Sequence, residues 1–385
     1  MIYLVGSCGF PNYGDELITG KWLRRLARTN PNRKVWVDCH SPGQAQAMFA
    51  GMHPNLRFTD LLWRICWAAP NDEPDVVVDH ATRAVRDLGV VPKIDIGQPL
   101  LHRAEIVHVL GGGYVNSQWP RHLGLLACAV EMARISGGRA VMTGQGLQPL
   151  SKAAAAAVAP LVSRMALVDV RDEPSRLSLA SVTDVSISAS GDDAFLDLGS
   201  HDYDARPSPD VMLCAQSDLL ASTVDEVADL MMAVLGRWDV TSDQVGWVEA
   251  IPGEDRLVFD IIEKRMGGIR FYPLREIWYE GLPARPGQRW VSTRFHPHLM
   301  AAAAGSWGVA VPVQQDYYDV KHASLLDYGS GWTVLDPLSK REEVTVSPPP
   351  GRLAGFAPPF RDDLVAKKRR IAEALYGPDR PAGGG

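Results

Sequence analysis

Short runs of four or five apolar residues alternate along most of the chain with longer stretches in which apolar positions recur every three or four residues. The first kind predicts buried strands and the second amphipathic helices, so the alternation predicts a parallel α/β sheet. Strands are predicted at residues 2–5, 34–37, 106–110, 140–143 and 167–170, with helices at 16–27, 123–135 and 152–165 among them. A second series follows the polar, proline-containing stretch 200–209: strands at 211–215, 244–249, 269–272, 290–293 and 309–313, and helices at 224–238, 256–265 and 299–304. Two doubly wound Rossmann-like domains, 1–200 and 208–345, are therefore expected to face a cleft, because ligands of such sheets sit beyond the carboxyl ends of the strands. Residues 61–99, rich in Trp, Pro and charge, fit the pattern poorly and are read as an insertion or lid. Residues 348–359 read as a tether, 361–375 as a helix crossing back onto the first domain, and 381–385 as a disordered tail.

Composition narrows the class. With 385 residues, 46% hydrophobic and 22% charged, the chain is long enough for two domains and is not disordered as a whole. A net charge of −6 and a pI near 5.9 argue against bulk affinity for nucleic acid or acidic lipid, so anionic ligands must meet local positive sites. The five cysteines are scattered through apolar runs, with no C-x-x-C pair and no spacing that builds a metal site. They read as reduced packing residues of a cytoplasmic protein. The chain opens directly on a strand without a signal-like segment, and no apolar run reaches the length of a membrane helix. Nothing in it points to an oligomeric state.

Candidate chemistry gathers at the predicted strand ends. Arg294-Phe295-His296-Pro297-His298 closes one strand and opens a small-residue helix, and Lys321 follows at the exit of the next strand. A helix start offers unpaired N–H groups and a positive dipole end, so this turn suits a phosphate or carboxylate and carries a titratable imidazole. A capped helix with two surface histidines is the plainer account of the same residues. Three glycine-rich loops recur: 6–17, with Asn12, Gly14 and Asp15; Gly111-Gly112-Gly113-Tyr114-Val115-Asn116; and Gly144-Gln145-Gly146. Glycines allow close backbone approach to a ligand, yet the spacings match neither the dinucleotide fingerprint nor the P-loop. Asp15 equally suits a helix N-cap, and Arg171 equally suits a local partner of Asp172 or Asp192.

In order along residues 3–325, Asn12-x-Gly14-Asp15, Gly111-Gly112-Gly113, Gly144-Gln145-Gly146-x-x-Pro149, Arg171-Asp172 with Ser175, Asp192-Asp193-Ala194-Phe195, and Arg294-Phe295-His296 with Lys321 resemble the polysaccharide pyruvyl transferase family. Phe295, His298 and residues 61–99 depart from its pattern. The resemblance implies a glycosyltransferase-B-like fold and transfer of the pyruvyl group of phosphoenolpyruvate to two hydroxyls of a sugar, giving a cyclic ketal and phosphate. It implies phosphoenolpyruvate as co-substrate without a further cofactor or metal. The acceptor would be a cell-surface polysaccharide or glycolipid precursor, and a lipid-linked one would bring peripheral membrane contact. His296 would be the general acid, Arg294, Lys321 and Arg171 the anion-binding cations, and Asp15 the group orienting an acceptor hydroxyl. Asn12, Gly14, Gly111, Gly112, Gly113, Asn116, Gln145 and His298 would line the substrates. Two other readings stand beside it. One is a nucleotide-sugar glycosyltransferase of the same fold, with Glu276 or Glu280 on the ribose. The other is a non-catalytic glycan-binding relative using Trp63, Trp67, Trp119, Trp278 and Trp307.

Overall fold

The computed structural model describes residues 1–218, 220, 223–313, 315–335 and 354–378. They form two compact units: the first holds residues 1–10, 15–197 and the chain from Leu364 on, the second residues 11–14 and 198–363.

In the first unit the elements run β1 (Ile2–Val5), α1 (Tyr13–Thr29, whose first two residues group with the second unit), β2 (Val35–Asp38), α2 (Pro42–Met48), β3 (Leu56–Thr59), α3 (Leu61–Trp67), α4 (Pro74–Arg86) and α5 (Gln98–Leu101). Then follow β4 (Ile106–Val109), α6 (Leu123–Ser136), β5 (Arg139–Gln145), α7 (Lys152–Val162), β6 (Leu167–Val170), α8 (Glu173–Ala180) and β7 (Ser188–Ala189). All seven described strands are parallel, in the order β3-β2-β1-β4-β5-β6-β7. The order reverses between β1 and β4, so the loops leaving those two strands flank the point where doubly wound sheets bind ligands. The edge strands β3 and β7 escape the hydrophobic pattern because β3 is only partly buried and β7 is two residues long.

Residues 61–99 are not a lid. They form the β3-to-β4 crossover, and Leu62, Trp63, Ile65, Cys66, Ala81 and Val85 join the same buried cluster as Leu126 and Val130 of α6. Gly124 of α6 permits the close approach, since a Cβ there would lie 2.9 Å from Cys66 Sγ and 3.2 Å from Ala81 Cβ. Three of the four prolines that obscured the pattern, Pro74, Pro92 and Pro99, sit at helix starts, where a missing N–H costs nothing.

The second unit has a six-stranded sheet among its described residues, in the order β10-β9-β8-β11-β12-β13, all parallel. Its elements are β8 (Val211–Cys214), α9 (Val224–Trp238), β9 (Val245–Val248), α10 (Arg256–Met266), β10 (Arg270–Tyr272), α11 (Leu274–Glu280), β11 (Arg289–Ser292), α12 (Phe295–Ala303), β12 (Trp307–Ala310), α13 (Gln315–Asp327) and β13 (Thr333–Val334). Here the order reverses between β8 and β11. The two parallel sheets bear out the expected α/β class. The tether read at 348–359 and the tail at 381–385 lie partly and wholly outside the described residues.

α14 (Pro358–Tyr376) begins in the second unit and from Leu364 belongs to the first. Its Lys368, one of the four consecutive basic residues Lys367-Lys368-Arg369-Arg370, is fully buried. Its Nζ donates to Asp169 at 2.8 Å and Asp193 at 2.9 Å. Asp193 also accepts from Trp22 Nε1 of α1, the Gly111 N–H and Thr143 Oγ1 of β5. Asp169 accepts from the Gly144 N–H and from Ser188. Burial works against both charges, but Asp169 and Asp193 hold the Lys368 amine above its ordinary range, and Lys368 with Thr143 holds the Asp193 carboxyl below its own. Lys368→Met leaves two buried carboxylates without their cation, and is expected to cost about 3–5 kcal/mol of stability in urea unfolding. An unchanged midpoint would show that α14 is not anchored by this pair.

Candidate functional site

In the second unit a closed circuit of contacts fixes the β11–α12 turn. Arg294, the residue before α12, is largely buried. Its guanidinium donates to Asp255 Oδ1 (Nε at 3.0 Å, Nη2 at 2.5 Å) and to Asp218 Oδ1 at 2.9 Å. Burial pushes the Asp255 carboxyl up, and Arg294 with the N–H groups of Ala250 and Ile251 works against that shift. The Ala250 carbonyl accepts the Tyr13 N–H at 2.9 Å. Asn12 Oδ1 in turn accepts the Gly14 N–H at 3.2 Å. Gly14 closes the circuit: a Cβ there would lie 1.8 Å from His296 Nδ1, so the imidazole occupies the space that a side chain at position 14 would fill. Asn12, Gly14, Arg294 and His296, distant in sequence, are thus brought together. Asp255, whose isolated carboxylate gives no sequence signal, holds them there.

His298 does not join this group. It is fully buried and stacked on Trp332, with ring centroids 4.0 Å apart. Its Nδ1 lies 3.0 Å from His322 Nδ1 and its Nε2 3.0 Å from Ser330 Oγ. His322 Nε2 lies 3.2 Å from the Thr293 carbonyl, which can only accept. That bond fixes the tautomers: His322 donates from Nε2 and accepts at Nδ1, His298 donates from Nδ1, and Ser330 donates to His298 Nε2. All four ring nitrogens are satisfied only while both rings are neutral. Burial lowers both pKa values, that of His322 to about 4. The pair ties α12, which carries His296, to α13, which carries the largely buried Lys321.

In the first unit, most residues expected at the substrate serve the protein's own packing. A Cβ at Gly111 or Gly144 would lie 2.8 or 2.5 Å from the Asp193 carboxylate, one at Gly112 2.8 Å from the Tyr114 ring, and one at Gly146 2.1 Å from the Arg171 guanidinium. Gly112 and Gly144 also have positive φ, at 141° and 55°. Arg171 is buried against Asp172 (3.3 Å) and Asp192 (3.7 Å), the structural alternative that the sequence left open. Asn116 is fully buried and braces its loop, donating to the Gly113 carbonyl and accepting the Gln118 N–H. Gln145 is fully buried and donates to the Leu110 carbonyl. Asp15 is not an N-cap, since α1 starts at Tyr13; its carboxylate oxygen lies 3.4 Å from the position of a Cβ on Gly112.

Glu276 accepts from Arg206 (3.0 Å) and Arg270 (2.7 Å) on the second unit. With Arg275, Tyr279 and Glu280 these residues line an open cavity of about 440 Å³. No group of three His, Cys, Asp or Glu side chains that could hold a metal occurs among the described residues, and no helix described is long and apolar enough to cross a membrane.

The family model of polysaccharide pyruvyl transferases matches residues 12–251, a span that includes Asn12, Gly14 and Ala250 and stops short of Arg294 and His296. Among solved structures, Anabaena HepE in complex with UDP and glucose superposes with a TM-score of 0.53 at 14% identity, over 97% of this chain and 98% of that one. A UDP-N-acetylglucosamine 2-epimerase gives 0.56 at 12% identity, over 99% and 98%. At these identities the likeness is one of fold, the glycosyltransferase-B type. No curated protein sequence matches significantly.

Two outcomes test the geometry. Gly14→Ala is expected to shift the His296 ring resonances in histidine NMR while leaving the melting temperature within a few degrees, because the displaced group is a single side chain, the partly exposed His296 imidazole, and no backbone atom. The unfolded chain protonates its histidines below about pH 6.5, whereas His298 and His322 stay neutral until lower pH. Their contribution to stability is therefore present above pH 6.5 and lost as pH falls from there toward 4, by about 1.4 kcal/mol per pH unit for each ring. Urea unfolding across this range should show a shallower slope in His298→Gln/His322→Gln than in the wild type.

Proposed function

The chain belongs to the polysaccharide pyruvyl transferase family, and from this premise we propose that it transfers the pyruvyl group of phosphoenolpyruvate to two hydroxyls of a sugar. A proton added to the methylene carbon, attack of one hydroxyl at C2, loss of phosphate and attack of the second hydroxyl give the cyclic ketal. One hydroxyl proton is balanced by the proton delivered to carbon, and the other leaves with the phosphate.

The observation that supports this reading most directly is the circuit that seats the His296 imidazole against Gly14 at the reversal point of the second sheet. An imidazole donates a proton near neutral pH, and a bound phosphate would favour its charged form. The N-terminal end of α12 and the Lys321 amine supply the positive field for the carboxylate and phosphate. Arg294 is already engaged, so an incoming anion would compete for its guanidinium with the partly exposed Asp218 rather than with the buried Asp255. Asp15 would orient an acceptor hydroxyl.

Purified protein is expected to release phosphate from phosphoenolpyruvate only with a sugar acceptor, whose product gains the mass of pyruvate less one water. His296→Gln should lower kcat by about 10²–10⁴-fold, and Lys321→Met should raise the KM for phosphoenolpyruvate. Release that is independent of acceptor, or transfer from a UDP-sugar in its place, would overturn the reading.

A further inference from the structure

At the carboxyl edge of the first unit's sheet, the loops leaving the adjacent strands β2, β1 and β4 present aromatic rings that neither the core nor the assigned chemistry explains. Phe10, after β1, is 66% exposed. Gly9 packs beside it on the β2 loop, where a Cβ would meet the Ser41 carbonyl at 2.6 Å, and His40 precedes that serine. The half-buried His40 ring is tilted against the Trp63 ring, with centroids 3.6 Å apart. The β4 loop supplies Trp119, partly exposed and stacked on His122 at 6.1 Å, and α3 supplies Trp67, 54% exposed and 5.9 Å from His122.

His122 makes this more than an apolar surface. It is 5% exposed, and its Nδ1 lies 2.8 Å from the Tyr114 carbonyl, so Nδ1 carries the proton and Nε2 is an acceptor. Nε2 is buried and has no hydrogen-bond partner among the described residues, left among the rings of Trp63, Trp67, Trp119 and His40. An unmet buried acceptor is costly and calls for a donor. A ligand that fits must offer a hydroxyl to an imidazole nitrogen and flat C–H faces to indole rings, as a pyranose does.

We infer that Trp67, Trp119, His40 and His122 form the acceptor-sugar subsite of this protein, with a pyranose ring stacked on the tryptophans and one of its hydroxyls donating to His122 Nε2. Trp67, 54% exposed and beside His122, offers the pyranose its outer stacking face. This deepens the reading of a sugar acceptor, but it concerns binding and stands or falls without turnover.

Saturation-transfer NMR and tryptophan fluorescence with a panel of methyl hexopyranosides, in the absence of phosphoenolpyruvate, test it. At least one hexoside is expected to bind saturably. His122→Phe, which keeps a flat ring and removes the acceptor, should weaken it about tenfold, and Trp67→Ala at a half-exposed position should weaken it without changing the melting temperature. Affinity for phosphoenolpyruvate should be unchanged in both. Absence of saturable hexoside binding, binding unaltered in both variants, or binding of uridine in place of hexosides would overturn the inference. Hexoside binding without phosphate release would overturn the proposed reaction while leaving the subsite in place.

Discussion

A single buried ammonium organises the first unit. Lys368 meets Asp169 and Asp193 with no exposed surface on any of the three, so removing one partner would strand charge in the core. Asp193 also takes donors from α1, the β4 loop and β5. Close by, His108 Nε2 lies 2.8 Å from Thr143 Oγ1 and its Nδ1 2.8 Å from the Tyr376 hydroxyl. Since Thr143 donates to Asp193, His108 must donate to Thr143 and accept from Tyr376. Burial lowers its pKa to about 4, which keeps it neutral in this arrangement. The last helix is therefore held to the sheet by a polar chain in which each proton has one place.

The glycines follow from that constraint. Gly111 and Gly144 are bare because the Asp193 carboxylate needs the space, and Gly146 is bare because Arg171 does. Gly14 obeys the same logic in the second unit with a different beneficiary, the His296 imidazole. A glycine that leaves room for a neighbouring side chain thus marks a charge network in one unit and a candidate acid in the other.

The second unit divides labour between two histidines of one motif. His296 and His298 lie two apart on the first turn of α12, so their side chains leave in different directions. His298 turns inward to His322 and Ser330 and joins α12 to α13, while His296 is placed against Gly14. Arg294, Asp255, Ala250 and Tyr13 supply the frame.

The sequence by itself determined the α/β class, the strands with continuous apolar runs, the family, and the turn at Arg294 to His296, because buried parallel strands and strand-end glycines leave local signals. It could not give the edge strands β3 and β7, which are short or half buried, nor the core role of residues 61–99, where Pro74, Pro92 and Pro99 begin helices rather than break them. Only the tertiary structure decided which polar residues are scaffold. Arg171, Asn116, Gln145 and His298 have the composition of ligand-binding groups, yet their partners lie inside the fold. Lys368 is one of four consecutive basic residues, and its burial depends on carboxylates 199 and 175 positions away. Whether a charge binds substrate or core is set by what folding brings within hydrogen-bond reach, and that distance is not written in local sequence.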